Sequence, residues 1–99
     1  MHHHHYTSLG ISLVAPYRGQ GYGTEAIKFA LEFAFKHANL HRVEIGGFEY
    51  NARALALYRR MGFVEEGRKR KIFWHDGEYY DLVEMGMLRD EWLELYGKK

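Results

Sequence analysis

Cysteine is absent from the 99 residues. That excludes disulfides, thiolate metal sites and a cysteine nucleophile together. It also fits a reducing compartment, so a cytoplasmic setting is expected. An excess of one charge is lacking too. The 14 Lys and Arg against 13 Asp and Glu leave a formal charge of +1, and no global field draws the chain to nucleic acid or to a membrane surface. No apolar run approaches the ~20 residues that cross a bilayer, and no signal peptide is visible. No repeat, low-complexity linker or composition shift divides the chain, so one domain is expected. What is present is globular: 46% hydrophobic and 27% charged residues, with eight Tyr, six Phe and two Trp. A chain of this size buries about two-thirds of its unfolded surface, enough for one core.

Met1 to His5 reads Met-His-His-His-His, a purification tag, and residues 6–99 are taken as the domain. No metal site is expected. The stretch that organises the rest is Arg18-Gly19-Gln20-Gly21-Tyr22-Gly23-Thr24. An apolar run, Ile11 to Val14, precedes it and a helical pattern follows. Glycines let the chain turn tightly and let a ligand approach the backbone. The first amides of a helix lack internal partners, and its dipole favours an anion there. The residues therefore read as a phosphate or pyrophosphate cradle, or as a plain tight turn before a helix.

Tyr6 to Val14 reads as a strand, with Leu9, Ile11 and Leu13 on one face, and Pro16 ends it. Thr24 to Ala38 carries Ile27, Leu31, Ala34, Phe35 and Ala38 on one helical face. Phe29 and Phe33 form a second stripe, which suggests cover on a second side. Thr24 suits the N-cap, and His37 and Asn39 suit the C-terminal end. Arg42 to Phe48 alternates as a strand, and Gly46 and Gly47 within it point to a bulge or a close backbone neighbour. Asn51 to Met61 is a second helix, with Asn51 as N-cap and Gly62 as left-handed C-cap. Arg68 to Trp74 and Tyr79 to Leu88 flank Asp76-Gly77, a strong hairpin signal. Arg89 to Tyr96 closes as a short helix, with Trp92 and Leu95 packing inward. The fold class is therefore α/β: a mixed sheet of about four strands, two main helices and a short C-terminal one. A long helix between the first two strands implies a parallel crossover.

In this order, three motifs resemble the GNAT superfamily of acyl-CoA-dependent N-acetyltransferases. Arg18-x-x-Gly21-x-Gly23 looks like its pyrophosphate-binding motif. Asn51-x-x-Ala54-x-x-x-Tyr58-x-x-x-Gly62-Phe63 looks like its second signature. Gly77-x-Tyr79-x-Asp81-x-x-x-Met85-x-x-Leu88-x-x-Glu91-Trp92 looks like the tail of its ribosomal-protein and polyamine acetyltransferase branch. Members of that branch carry a further N-terminal half before the pyrophosphate strand. The resemblance thus implies half of a GNAT fold, the cofactor-binding half.

The resemblance implies acetyl transfer from acetyl-CoA to a primary amine, on a small molecule or a peptide. Arg18, Gly19, Gln20, Gly21, Tyr22, Gly23 and Thr24 would hold the pyrophosphate, and the backbone of Leu13 and Val14 the pantetheine arm. Tyr58 would act as general acid toward the leaving thiolate, and Asn51 would both cap its helix and touch the cofactor. From periodicity alone, Tyr58 reads equally as a core aromatic. The general base is not identified. Glu44 and Glu49 lie on or near the second strand, where they also read as ordinary surface carboxylates. Arg68-Lys69-Arg70-Lys71 faces Asp81 and Glu84 across the hairpin, so cross-strand pairing is expected and nucleic-acid binding is not. Of Phe73, Trp74, Tyr79 and Tyr80, most are expected in the core, although they could line an acceptor surface. The alternative to an enzyme is a non-catalytic CoA-binding fragment that self-associates, its first strand pairing between chains to form a homo-oligomer.

Overall fold

The computed structural model describes residues 10–14, as backbone, and 23–97. The glycine stretch from Arg18 to Tyr22 therefore lies outside the described residues, as does the expected start of the first strand at Tyr6. β1 is Gly10–Val14, α1 Thr24–Glu32, β2 Arg42–Phe48, α2 Ala52–Met61, β3 Val64–His75, β4 Glu78–Leu88 and α3 Arg89–Tyr96. The four strands form one mixed sheet in the order β1-β2-β4-β3. β1 runs parallel to β2 from Gly10↔Arg42 to Val14↔Gly46. β2 then runs antiparallel to β4, from Arg42↔Leu88 to Phe48↔Leu82.

The period-2 rule sorts the two faces. Val43 and Ile45 of β2 lie opposite Met87 and Met85 of β4, and all four are buried. Ile27, Leu31, Ala34 and Phe35 from the α1 segment join them, as do Ala54, Leu55, Tyr58 and Met61 from α2, in one cluster. Each fully buried Leu, Ile, Val, Phe or Met is worth roughly 1.5–3 kcal/mol, so this cluster is the main source of stability. The other face carries Arg42, Glu44, Gly46 and Phe48 of β2 beside Leu82, Glu84 and Gly86 of β4.

Several boundaries differ from expectation for identifiable reasons. The N-cap of α1 is Gly23, in an extended conformation. Thr24 is the first helical residue, and among the described residues no side chain caps the first amides. The helix does not run as one α-helix to Ala38, because Phe33–His37 is a π turn. Ala38 N–H reaches back to Phe33 O at 2.8 Å, and Leu40 N–H to Ala34 O at 2.9 Å. The extra residue in the turn rotates Ala38 into solvent while Ala34 and Phe35 stay buried. Asn39 then takes φ +55° and ends the segment. The second stripe is not covered within the described residues: Phe29 is 72% and Phe33 50% exposed. In α3, Trp92 packs against the core and touches Phe35, with ring centroids 5.5 Å apart. Leu95, expected inside, is exposed and lies over Gly62.

α2 follows its sequence signals. Asn51 Oδ1 accepts from Ala54 N–H at 3.4 Å, and Gly62 takes φ +112° at the C-cap. The β3–β4 turn has φ +52° at Asp76 and +84° at Gly77, as a tight hairpin with an Asp-Gly centre requires. The expected cross-strand charges meet: Arg68 Nη1 is 3.1 Å from Asp81 Oδ2, and Lys69 Nζ 3.5 Å from Glu84 Oε2. The register slips between Lys69 and Phe73, where Lys71 adopts φ +51° and its N–H donates to Asp81 Oδ1 at 2.9 Å. That hydrogen bond, with Arg68 beside it, holds the Asp81 carboxyl below its usual pKa of 3.8. None of Phe73, Trp74, Tyr79 and Tyr80 joins the buried core, contrary to expectation. They sit on the half of the hairpin farthest from the helices' cover, and Trp74 and Tyr79 are more than half exposed.

Candidate functional site

The parallel pairing of β1 and β2 stops at Val14↔Gly46. One residue on, Gly47 faces the helices. A Cβ there would stand 2.8 Å from Leu55 Cδ2 and 3.7 Å from Tyr58 Cε2. The expected bulge is absent, since β2 pairs with β4 without a break, and the close neighbours of Gly47 are the side chains of Leu55 and Tyr58 rather than the expected backbone. The α2 side chains lie close on the strand here, so a Cβ would push the tip of Leu55 aside. The aromatic ring of Tyr58 is thereby set against β2 just past the end of the parallel ladder. It is fully buried and meets Phe63 edge-on at 6.3 Å.

Asn51 sits at the start of the same helix, 5% exposed. Its Oδ1 is used in capping, while among the described residues its Nδ2 is buried without a hydrogen-bond partner. A buried, unsatisfied amide donor costs about 1–3 kcal/mol, so such groups call for a reason. Among the described residues, the first amides of α1 also have no side-chain cap. Leu13 and Val14 contribute backbone at the end of β1, Gly23 and Thr24 stand at the α1 entrance, and Tyr58 and Asn51 belong to the α2 segment.

The two carboxylates considered as bases have other occupations. Glu44 Oε2 accepts from Arg42 Nη2 at 3.0 Å, and Arg42 Nη2 also donates to Glu66 Oε1 at 2.6 Å. The Glu66 hydrogen bond is foremost in holding the Arg42 guanidinium in its charged form. Glu49 Oε1 accepts from Asp81 N–H at 2.7 Å. Glu49 thus bonds across to β4, while Glu44 pairs within β2 with Arg42, which in turn reaches Glu66 of β3. Among the described residues no group of His, Asp and Glu is arranged to hold a metal ion, and no helix is long and apolar enough to cross a membrane.

On the face opposite the helices, Phe73 and Tyr80, named above as able to line a surface, form an aromatic wall with Phe48 and Tyr50, which the sequence reading did not single out. Phe48 stacks on Phe73 at 4.4 Å, Tyr50 on His75 at 5.1 Å, and Tyr80 meets Tyr50 edge-on at 4.8 Å. The available signal was the parity of β2: Phe48 and Tyr50 continue the even-numbered face of Glu44 and Gly46 beyond the last parallel pair.

Comparison with known proteins agrees with this layout. The chain is 35% identical over 81 residues to the SPbeta prophage-derived uncharacterized N-acetyltransferase YokL of Bacillus subtilis, covering 82% of this chain and 46% of that protein. It is 34% identical over 82 residues to the spermidine N(1)-acetyltransferase of Vibrio cholerae, covering 82% and 47%. The crystal structure of the Vibrio cholerae spermidine/spermine N-acetyltransferase SpeG superposes with a TM-score of 0.69 at 34% identity, over 78% of this chain and 45% of that one. The chain thus spans about half the length of the curated relatives it matches, and the fold is a partial GNAT fold. With residues 2–63 also matching the profile of the Acetyltransferase (GNAT) family, the chain belongs to that family.

Proposed function

We propose that this chain carries the acetyl-CoA-binding half of an N-acetyltransferase that acts on a primary amine, with Tyr58 as the general acid. The observation that carries the reading is the seat of Tyr58 against Gly47, just past Val14↔Gly46. Bound acetyl-CoA would supply an activated acetyl group and a thiolate leaving group. The chain's own residues have separate tasks. The amides from Arg18 to Thr24 grip the diphosphate, with Arg18 adding a charge-assisted contact. The backbone of Leu13 and Val14 aligns the pantetheine arm, and one amide there polarises the thioester carbonyl. Asn51 Nδ2 gains the acceptor it otherwise lacks. Tyr58 holds a proton at its phenol oxygen and gives it to the sulfur as the C–S bond breaks. The amine nitrogen forms the new C–N bond and loses its surplus proton to water.

Acetyl-CoA binding is measured by calorimetry, and thiol release with a panel of polyamine, peptide and small amines. Tyr58→Phe should lower kcat by about 100-fold or more while leaving the acetyl-CoA Kd within about threefold, since only a hydroxyl is removed. Turnover undiminished in the variant overturns the role of Tyr58.

A second reading is favoured by the position of β1 at the edge of the described sheet. In it the chain binds coenzyme A without turnover and self-associates through that edge. One relative has been solved as a dodecamer, the spermidine N-acetyltransferase of Vibrio cholerae. Binding without thiol release, together with a dimer or larger species in sedimentation, supports this reading. A monomer at high concentration refutes its self-association.

A further inference from the structure

We infer that the groove between α1 and α3 is a second binding site, for a small planar organic anion. The groove has a volume of about 480 Å³, within the roughly 300–1,000 Å³ typical of ligand pockets. Its floor is apolar and aromatic: Leu31 and Phe35 are buried, and Trp92 lies against Phe35 at 5.5 Å. Its rim carries three cations, Lys28, Lys36 and Arg89, against one carboxylate, Glu32. Glu32 stands 3.6 Å from Lys36 and balances one of the three.

Arg89 is the most informative of the three. Its guanidinium is partly buried, and Nη1 donates to Phe35 O, a carbonyl inside the π turn. A guanidinium has five N–H donors in a fixed fork, and this one uses a single donor on protein among the described residues. Partly desolvated donors next to an aromatic floor match a carboxylate or sulfonate carried on a flat ring. Ring stacking on Trp92 and a charge-assisted bond to Arg89 would act together. The groove lies on the flank of α1 that faces α3, between Lys28 and Lys36 on one side and Arg89 and Gly97 on the other, and the inference does not depend on the acetyl-transfer reading.

The probe is 2-naphthoate, read by Trp92 fluorescence in the full chain carrying Trp74→Phe, which removes the other indole. Saturable quenching with a Kd on the order of 1 mM or tighter is expected from the ligand efficiency of small aromatics. Acetate, which has the charge without the ring, and 2-naphthalenemethanol, which has the ring without the charge, should each bind at least about tenfold more weakly. Lys28→Glu with Lys36→Glu should weaken naphthoate about tenfold. Both lysines are exposed, so this pair of changes tests the site without endangering the fold. Arg89→Met should do the same if its circular dichroism is unchanged. Saturating coenzyme A should leave naphthoate binding intact. The inference is overturned by no saturation at about 10 mM, by equal binding of the neutral alcohol, by indifference to the double charge reversal, or by competition with coenzyme A.

Discussion

Replacing Asn51 by Ser separates what that residue does for the fold from what it would do for a ligand. In the free protein, Asn51 Oδ1 caps α2 through a long 3.4 Å bond, and among the described residues Nδ2 is buried with no partner. Ser ranks with Asn as an N-cap, so the capping loss is a few tenths of a kcal/mol at most. Asn brings two N–H donors and the Ser hydroxyl still brings one O–H, so the change returns only part of the about 1–3 kcal/mol that an unsatisfied buried donor costs. The smaller side chain leaves a void of about 25 Å³, which costs about 0.6 kcal/mol. These contributions nearly cancel, so the free variant should unfold within about 1 kcal/mol of wild type, a Tm change under about 8 °C for a domain of this size. With coenzyme A bound they no longer cancel. The wild-type amide is then satisfied and the shorter hydroxyl falls short of the same acceptor, so affinity should fall about tenfold, or about 1.4 kcal/mol. Urea unfolding without ligand and at saturating coenzyme A, with calorimetric Kd values, measures both terms. A variant with unchanged affinity refutes the assignment of Nδ2 to a ligand.

Gly47→Ala places a Cβ 2.8 Å from Leu55 Cδ2. Overpacking of about 1–3 kcal/mol, less the roughly 0.5–1 kcal/mol that Ala gains over Gly within a strand, leaves a net loss of about 1–2 kcal/mol in urea unfolding. In a Leu55→Ala background the same change should cost nothing, because the clashing methyl is gone; additive losses would count against the contact. Asp81→Asn tests the carboxyl held below its ordinary pKa by the Lys71 N–H and then by Arg68. Because the folded pKa is the lower one, the wild-type advantage should be complete above the unfolded value and fade as pH falls through the folded value. A difference between wild type and Asp81→Asn that persists unchanged into strong acid would contradict it.

Much of this fold was legible because its signals are local. Asn51 and Gly62 bracket α2 through rules that concern only a few neighbouring residues, and Asp76-Gly77 sets its turn by backbone φ alone. The charges at Arg68, Lys69, Asp81 and Glu84 followed once the hairpin was fixed. The misreadings share a different cause. The π turn at Phe33–His37 depends on packing and on Arg89, 54 residues away, taking the carbonyl of Phe35. No helical periodicity encodes an inserted residue. The slip between Lys69 and Phe73 has the same character, since it is closed by Asp81 from the partner strand. Leu95 and the hairpin aromatics were misplaced because apolarity does not say which side of a half-covered sheet a residue will face. Tyr58 was ambiguous for the same reason: its full burial and its seat beside Gly47 are what a core aromatic also shows.

The two faces of the sheet are built from different materials. Every buried apolar residue of β2 and β4 points toward α1 and α2, so the core closes among the described elements without calling on the second face. That second face is held by charge and by rings instead. Arg42 ties Glu44 and Glu66, the Glu66 carboxylate lies close over Gly86, and Phe48, Tyr50, Phe73, His75 and Tyr80 stack at the far end. Ion pairs of this exposure contribute little to stability, roughly 0–1 kcal/mol each. They do keep the surface polar, which an uncovered sheet needs if it is not to associate indiscriminately. Gly46, the last residue paired with β1, is buried on this face beneath Leu82, whose Cδ1 would stand 3.3 Å from a Cβ there. The close cover by Leu82 separates the charged cluster of Arg42, Glu44 and Glu66 from the rings at the far end. The face that contributes least to the core is therefore the one that carries the paired charges and the stacked rings.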